Sequence, residues 1–182
     1  MAAYNITANT YGTPISAAIG QTLEVDPEHD TDKLPGYGVT MRLLSVARGA
    51  KIKIGMGGVD VDFLAVTAGV SNYTSNLTPN QRRRTRFPAG GAGLPYFGAI
   101  GLTPTDDGGV AAIGLQGCKL DKYPKYTADG KTNKFNMSEI EGYAIPVAIS
   151  SVLYLMTVRT YETAALWTAP ASGADFLAFF AA

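Results

Sequence analysis

The chain has 182 residues, with 15 basic and 15 acidic side chains, one His and one Cys, and 46% of its residues are hydrophobic. This length suffices for a single domain over residues 1–182 whose core needs no disulfide or metal. Zero net charge argues against a nucleic-acid-binding protein, which needs a basic excess to neutralise phosphates. Low charge combined with 21 Gly and 10 Pro instead suggests a surface that is covered by copies of the chain or by a partner.

Alternation with a period of two residues dominates the first half of the chain. A hairpin is expected there, with strands over 37–46 and 51–54 joined by a turn. Residues 59–63 alternate again and predict a strand rather than a helix, with Asp60 and Asp62 on one face. The polar residues that follow, up to position 80, predict a long loop or a short irregular helix.

The second half of the chain also reads mainly as strands. They are expected over 96–103, 110–120, 122–126, 135–140, 143–149 and 152–161. Turn residues separate them at Pro104–Gly109 and Ala128–Lys131. Helix is expected only over 160–167 and 175–182. The predicted fold class is therefore mainly β, an antiparallel β-sandwich or barrel with one short flanking helix and long loops.

Catalytic and metal-binding signals are scarce. Cys118 is expected to be a buried small hydrophobe, and His29 is expected to lie in a solvated loop, so the two cannot complete a zinc site. The apolar stretch over 142–158 is short for a membrane span and contains Pro146, so two buried strands are expected there instead. These observations predict no enzyme activity, no cofactor, no metal and no membrane association.

Two charged segments have opposite signs. Five acids fall on alternate positions of a predicted loop: Glu24, Asp26, Glu28, Asp30 and Asp32. Four arginines lie in a second predicted loop: Arg82, Arg83, Arg84 and Arg86. Either each segment is a solvated loop, or the acidic loop of one subunit contacts the basic loop of the next. A calcium site in the acidic segment would lack the central glycine and the closing glutamate of an EF-hand.

One long segment resembles a known family. LPYFGAIGLTPTDDGGVAAIGLQGCKLD at Leu94–Asp121, followed by YPKYTADGKTNKFNMSEIEGYAIPVAI at Tyr123–Ile149, resembles the tail tube proteins of long-tailed bacteriophages. The resemblance rests on a glycine-spaced strand and turn, Gly-Cys-Lys-Leu, an acid-glycine turn and a Phe-x-Met-Ser-Glu strand. It implies a structural virion protein, made in the host cytoplasm, whose hexameric rings stack into the hollow tube of a phage tail.

The resemblance also implies partners and surfaces. The partners would be copies of the chain, the tape-measure protein, tail-end or connector proteins, and a sheath protein in a contractile tail, with DNA only in transit. Asp60 and Asp62 are candidates for an acidic lumen wall, because basic side chains there would retain passing phosphates. The apolar C-terminal residues are expected to pack on a neighbouring subunit: Phe176, Leu177, Phe179 and Phe180.

Three alternatives remain open from the sequence. The first is another phage structural protein, such as a head decoration or head–tail joining protein. The second is a carbohydrate-binding β-sandwich, for which ten tyrosines and Trp167 could supply a sugar platform. The third is a glycosidase built on Asp106 and Asp107, although aspartates are common in such turns for conformational reasons alone.

Overall fold

A computed structural model describes residues 1–17, 20–36, 39–58, 60–75, 82–88, 93–129, 134–137, 140–149 and 151–181. The strands of the first half are β1 (Ala2–Asn5), β2 (Thr10–Tyr11), β3 (Gly20–Gly36), β4 (Val39–Met56), β5 (Ser71–Ser75) and β6 (Arg82–Arg86). Those of the second half are β7 (Tyr96–Pro104), β8 (Val110–Leu120), β9 (Tyr126–Asp129), β10 (Lys134–Met137), β11 (Ile140–Ile145), β12 (Val147–Ile149), β13 (Val152–Tyr154) and β14 (Met156–Tyr161). The helices are α1 (Val61–Ala68), α2 (Gly173–Ala181) and a 3-10 turn at Ala164–Leu166.

One large antiparallel sheet organises the chain. Its strands follow the order β2-β1-β7-β8-β11-β4-β3, and β14 pairs with the first half of β8. Smaller two-stranded sheets are formed by β5–β6, β9–β10 and β12–β13. The prediction of a mainly β, antiparallel fold is confirmed, since strands far outnumber helices among the described residues.

Helix α1 covers one face of the large sheet. It buries Phe63 and Leu64 against apolar side chains of the central strands, such as Ile52 of β4 and Leu115 of β8. The helix begins at Asp60, whose Oδ1 accepts hydrogen bonds from the backbone N–H groups of the second and third helical residues, at 3.0 and 3.1 Å. The strand predicted over 59–63 is therefore wrong, because Asp60 caps a helix whose buried residues recur at helical spacing.

Helix α2 packs on the opposite face, over β1, β2 and the first half of β8. Glycines make room for its aromatic side chains. A Cβ at Gly98 of β7 would lie 2.6 Å from the Phe176 ring, and one at Gly114 of β8 would lie 2.7 Å from the Phe180 ring. The helix predicted over 175–182 is thus confirmed, and the close approach explains why the strands beneath it carry glycine.

Other elements differ from expectation. The turn expected at 47–50 is wrong, because β4 runs on through it for 18 residues and accommodates Arg48 as a bulge opposite β3. The helix expected over 160–167 is also wrong, since β14 extends to Tyr161 and only a 3-10 turn follows. A long loop or a short irregular helix was expected after residue 63, and the described residues there form most of α1 and the strand β5.

Candidate functional site

An exposed face of the large sheet concentrates the charged residues. It consists of Glu24, Asp26, Glu28 and Asp30 on β3, Arg48, Lys51 and Lys53 on β4, and Glu141 on β11. We call this set the charged face. Some members stand directly opposite one another across the strands, as in the row Glu141, Lys53 and Glu24 and in the pair Asp26 and Lys51. Opposite charges in such cross-strand positions stabilise a sheet.

Glu28 is the best-connected residue of the charged face. Its carboxylate accepts a hydrogen bond from the Tyr143 hydroxyl at 3.0 Å and forms an ion pair with Lys51 at 2.7 Å. The bonds from Lys51 and Tyr143 lower the pKa of Glu28, and the bond to Glu28 raises the pKa of both partners. The Tyr143 ring crosses Gly49, where any Cβ would overlap it, so Glu28 ties together three strands.

The remaining acids of β3 differ in their partners. Asp30 forms an ion pair with Arg48 at 2.8 Å, whereas Glu24 and Asp26 form no salt bridge among the described residues. The acidic loop expected from Glu24 to Asp32 is wrong, because all five residues lie on β3. The side chain of Asp32 lies outside the described part. Spacing of two was itself the signal for a strand, and Pro27 is compatible with this position because β3 is an edge strand.

The arginine segment is likewise a strand rather than the expected loop. Arg82–Arg86 forms β6 and pairs with β5, so that Arg84 stands opposite Tyr73 and Arg86 opposite Ser71. Arg86 is exposed, and the side chains of Arg82, Arg83 and Arg84 lie outside the described part. Contact between this segment and the acids of another subunit stays a prediction.

A second feature is apolar and was missed in the sequence, where this stretch read as buried strands. Five neighbouring side chains of β13 and β14 are exposed: Val152, Leu153, Tyr154, Met156 and Val158. We call them the apolar edge. Leu153 is 69% exposed and Val158 is 55% exposed. In the described part of the chain β14 pairs with β8 alone, so its other side borders no strand of the large sheet, and β13, which precedes it, pairs with β12 in a separate small sheet.

The C-terminal aromatic residues are covered by their own chain. Phe176, Phe179 and Phe180 are buried, and their rings contact one another and Tyr11. Only Leu177 of the predicted set is half-buried. The expectation that these phenylalanines need a neighbouring subunit to cover them is therefore wrong, because the glycines of β7 and β8 admit them into the core.

The two lumen candidates also have local roles. The Asp60 carboxylate is engaged in capping α1, and Asp62 lies in the first turn of that helix. A carboxylate in the first turn interacts favourably with the helix dipole. Since the two residues share no strand face, the structural basis for an acidic wall at these positions is lost.

The candidate catalytic pair is part of a turn. Asp107 accepts hydrogen bonds from the Thr105 hydroxyl and from the Gly109 N–H, and these bonds lower its pKa.

Cys118 is fully buried, and burial raises its pKa, which opposes thiolate formation. Among the described residues, no three His, Cys, Asp or Glu side chains are grouped so as to hold a metal. None of the helices in that part combines the length and hydropathy of a membrane span.

Trp167, Tyr4 and Tyr11 are engaged in packing rather than in a sugar platform, whereas Phe87, Tyr123 and Tyr154 are exposed. Trp167 packs edge-on against Tyr161 and Phe179, with ring centroids 5.6 and 6.1 Å apart. Tyr4 and Tyr11 stack on each other inside the core beneath α2. These rings therefore serve packing within the chain.

No protein-family model matches the chain, and no curated protein matches it significantly.

Proposed function

We propose that the protein is a structural subunit that assembles with copies of itself into stacked, hexameric rings, and that these form the hollow tail tube of a phage virion. The observation that carries the proposal is the apolar edge. Exposed apolar side chains beside an outer strand favour association, and a solitary soluble protein would normally blunt such an edge with lysine or proline. A second copy that covers the edge would remove this hazard.

The hairpin of β3 and β4 supports the same proposal. In the described part, β11 pairs with β4 only at Ala50–Ile54, so positions 39–49 of β4 pair with β3 alone. This two-stranded ribbon extends about 35 Å at the usual rise per residue. An isolated ribbon is marginally stable in water. A surface of another subunit would stabilise it.

A tube of stacked rings requires two kinds of contact, one within a ring and one between rings. The chain offers two separate surfaces of different chemistry, the apolar edge and the acidic outer strand β3. Contacts between unlike surfaces are heterologous, and such contacts generate closed rings or open filaments. The resemblance over Leu94–Ile149 adds the specific assignment to a phage tail tube, with tape-measure and connector proteins as further partners.

Sedimentation velocity of matched variants tests the proposal. Val158→Lys places a charge on the apolar edge, and Leu166→Lys places the same charge on an apolar residue of the 3-10 turn that is 62% exposed. Wild type and Leu166→Lys should form large assemblies, whereas Val158→Lys should remain small. A wild-type protein that stays monomeric in concentrated solution would overturn the proposal, as would normal assembly by Val158→Lys. Uniform oligomers that never grow would point to a head decoration or joining protein.

A further inference from the structure

Charge alternates from strand to strand across the charged face. In the row Glu141, Lys53 and Glu24, an acid on β11 faces a base on β4, which faces an acid on β3. Lys51 and Asp26 repeat the pattern two residues along. Since β3 is the last strand of the sheet, its acids have basic neighbours on one side only. The next strand in the pattern would be basic, and the described part of the sheet does not contain it.

The two described acids of the charged face that form no salt bridge on β3 lie toward one end of the strand. Glu28 and Asp30 have ion-pair partners on β4, whereas Glu24 and Asp26 are exposed and form no salt bridge among the described residues. Both precede Pro27, so the stretch of edge that carries them is not interrupted by a residue without an N–H group. Lys53 and Lys51 stand opposite these two carboxylates on β4, so among the described residues it is only on the outer side of β3 that the carboxylates have no cationic neighbour.

The chain contains a strand with the matching pattern. Arg82, Arg84 and Arg86 occupy alternate positions of β6, as Glu24 and Asp26 do on β3. Alternate residues of any strand repeat at about 6.6–6.8 Å, so the two charge series have the same spacing. Arg86 is exposed and makes no salt bridge among the described residues. The β5–β6 pair is a separate two-stranded sheet, not part of the large one.

We propose that the β5–β6 hairpin of a second copy docks along the outer side of β3, with its arginines opposite Glu24 and Asp26. The contact continues the alternation of charge and joins two different surfaces, so it propagates from copy to copy. This inference rests on the proposed self-assembly and identifies one of its contacts. Electrostatic complementarity of this kind chiefly sets register and association rate.

A charge-swap experiment tests the pairing. The variant Arg84→Glu with Arg86→Glu reverses the basic strand, and Glu24→Lys with Asp26→Lys reverses the acidic edge. Each variant alone should raise the concentration needed for assembly by about tenfold or more, because attraction becomes repulsion at every contact. An equimolar mixture should assemble again, since each variant then presents the charge that the other lacks. For the arginine variant the matched control is Lys125→Glu with Lys134→Glu, beside and within the small β9–β10 sheet, which carries the same change of net charge and should assemble normally.

The outcomes separate this inference from the proposed function. Circular dichroism first establishes that each variant is folded. If the wild-type protein assembles and both double variants do so equally well, the pairing is wrong while self-assembly stands. If each variant fails and the mixture also fails, β6 is not the partner of β3. A wild-type protein that does not assemble removes the proposed function itself.

Discussion

Gly114 gives the sharpest test of how α2 is held to the sheet. A Cβ at this position would overlap the Phe179 ring and lie 2.7 Å from Cε1 of Phe180. Real Cβ atoms do not approach carbon so closely, so Gly114→Ala must displace a buried aromatic ring. Overpacking of this kind costs about 1–3 kcal/mol, and the conformational gain of replacing a strand glycine offsets about 0.5–1 kcal/mol. We expect a net loss of about 1–2 kcal/mol.

Thermal and urea unfolding measure this loss. For a chain of this size, 1–2 kcal/mol lowers the melting temperature by about 2–8 °C. Gly12→Ala is the control, because a Cβ there would meet only ordinary contacts at 3.8 Å, so the melting temperature should stay the same or rise slightly. Phe179→Leu should cost less stability in the Gly114→Ala background than in the wild-type background, because the smaller side chain relieves part of the overlap. Equal stability of the Gly114→Ala and Gly12→Ala variants would refute the described packing of α2.

Three further predictions follow from single side chains. Replacing Asp60 by Ala should destabilise the protein by about 1 kcal/mol in urea unfolding through loss of the α1 cap, while Asn should retain most of the stability; equal effects of Ala and Asn would contradict the cap. Cys118 should react with a thiol reagent only when the protein unfolds, because the thiol is fully buried; rapid labelling of the native protein would exclude this burial. The bonds from Lys51 and Tyr143 lower the pKa of Glu28 below its ordinary 4.5, so the stabilisation that they give is present above pH 4.5 and is lost as the pH falls through the lowered pKa. Glu28→Gln should therefore be less stable than wild type at neutral pH, and this difference should shrink in acid. A difference in stability that does not change with pH would contradict the lowered pKa of Glu28.

Local patterns were sufficient to predict the middle of the fold. β7 and β8 are largely apolar segments of strand length, and the turn between them contains Asp107 and Gly108, whose φ of +85° suits glycine. The C-terminal helix was also predictable from its uniform apolar composition. Each of these elements is specified by neighbouring residues, and for that reason the sequence identifies them.

Elements that depend on distant partners were not predictable in the same way. β3 has the composition of a loop, with prolines and alternating acids, and it is a strand because it pairs along β4 over 16 positions. The burial of Phe176 depends on Gly98, which lies far away in sequence, and the exposure of Val158 depends on which strands cover the sheet. These pairings and contacts between distant residues exist only in the folded chain, so neighbouring residues do not reveal them. The alternate spacing of the acids is nevertheless a local strand signal, which the prediction of a loop overlooked.

Negative-stain electron microscopy of the concentrated wild-type protein tests the central claim most directly. The proposed contacts join copies of this one chain, so the purified protein should assemble by itself. The account predicts hollow tubes of uniform diameter, built of stacked rings. A field of isolated monomers, with no rings or tubes at any concentration, would contradict it.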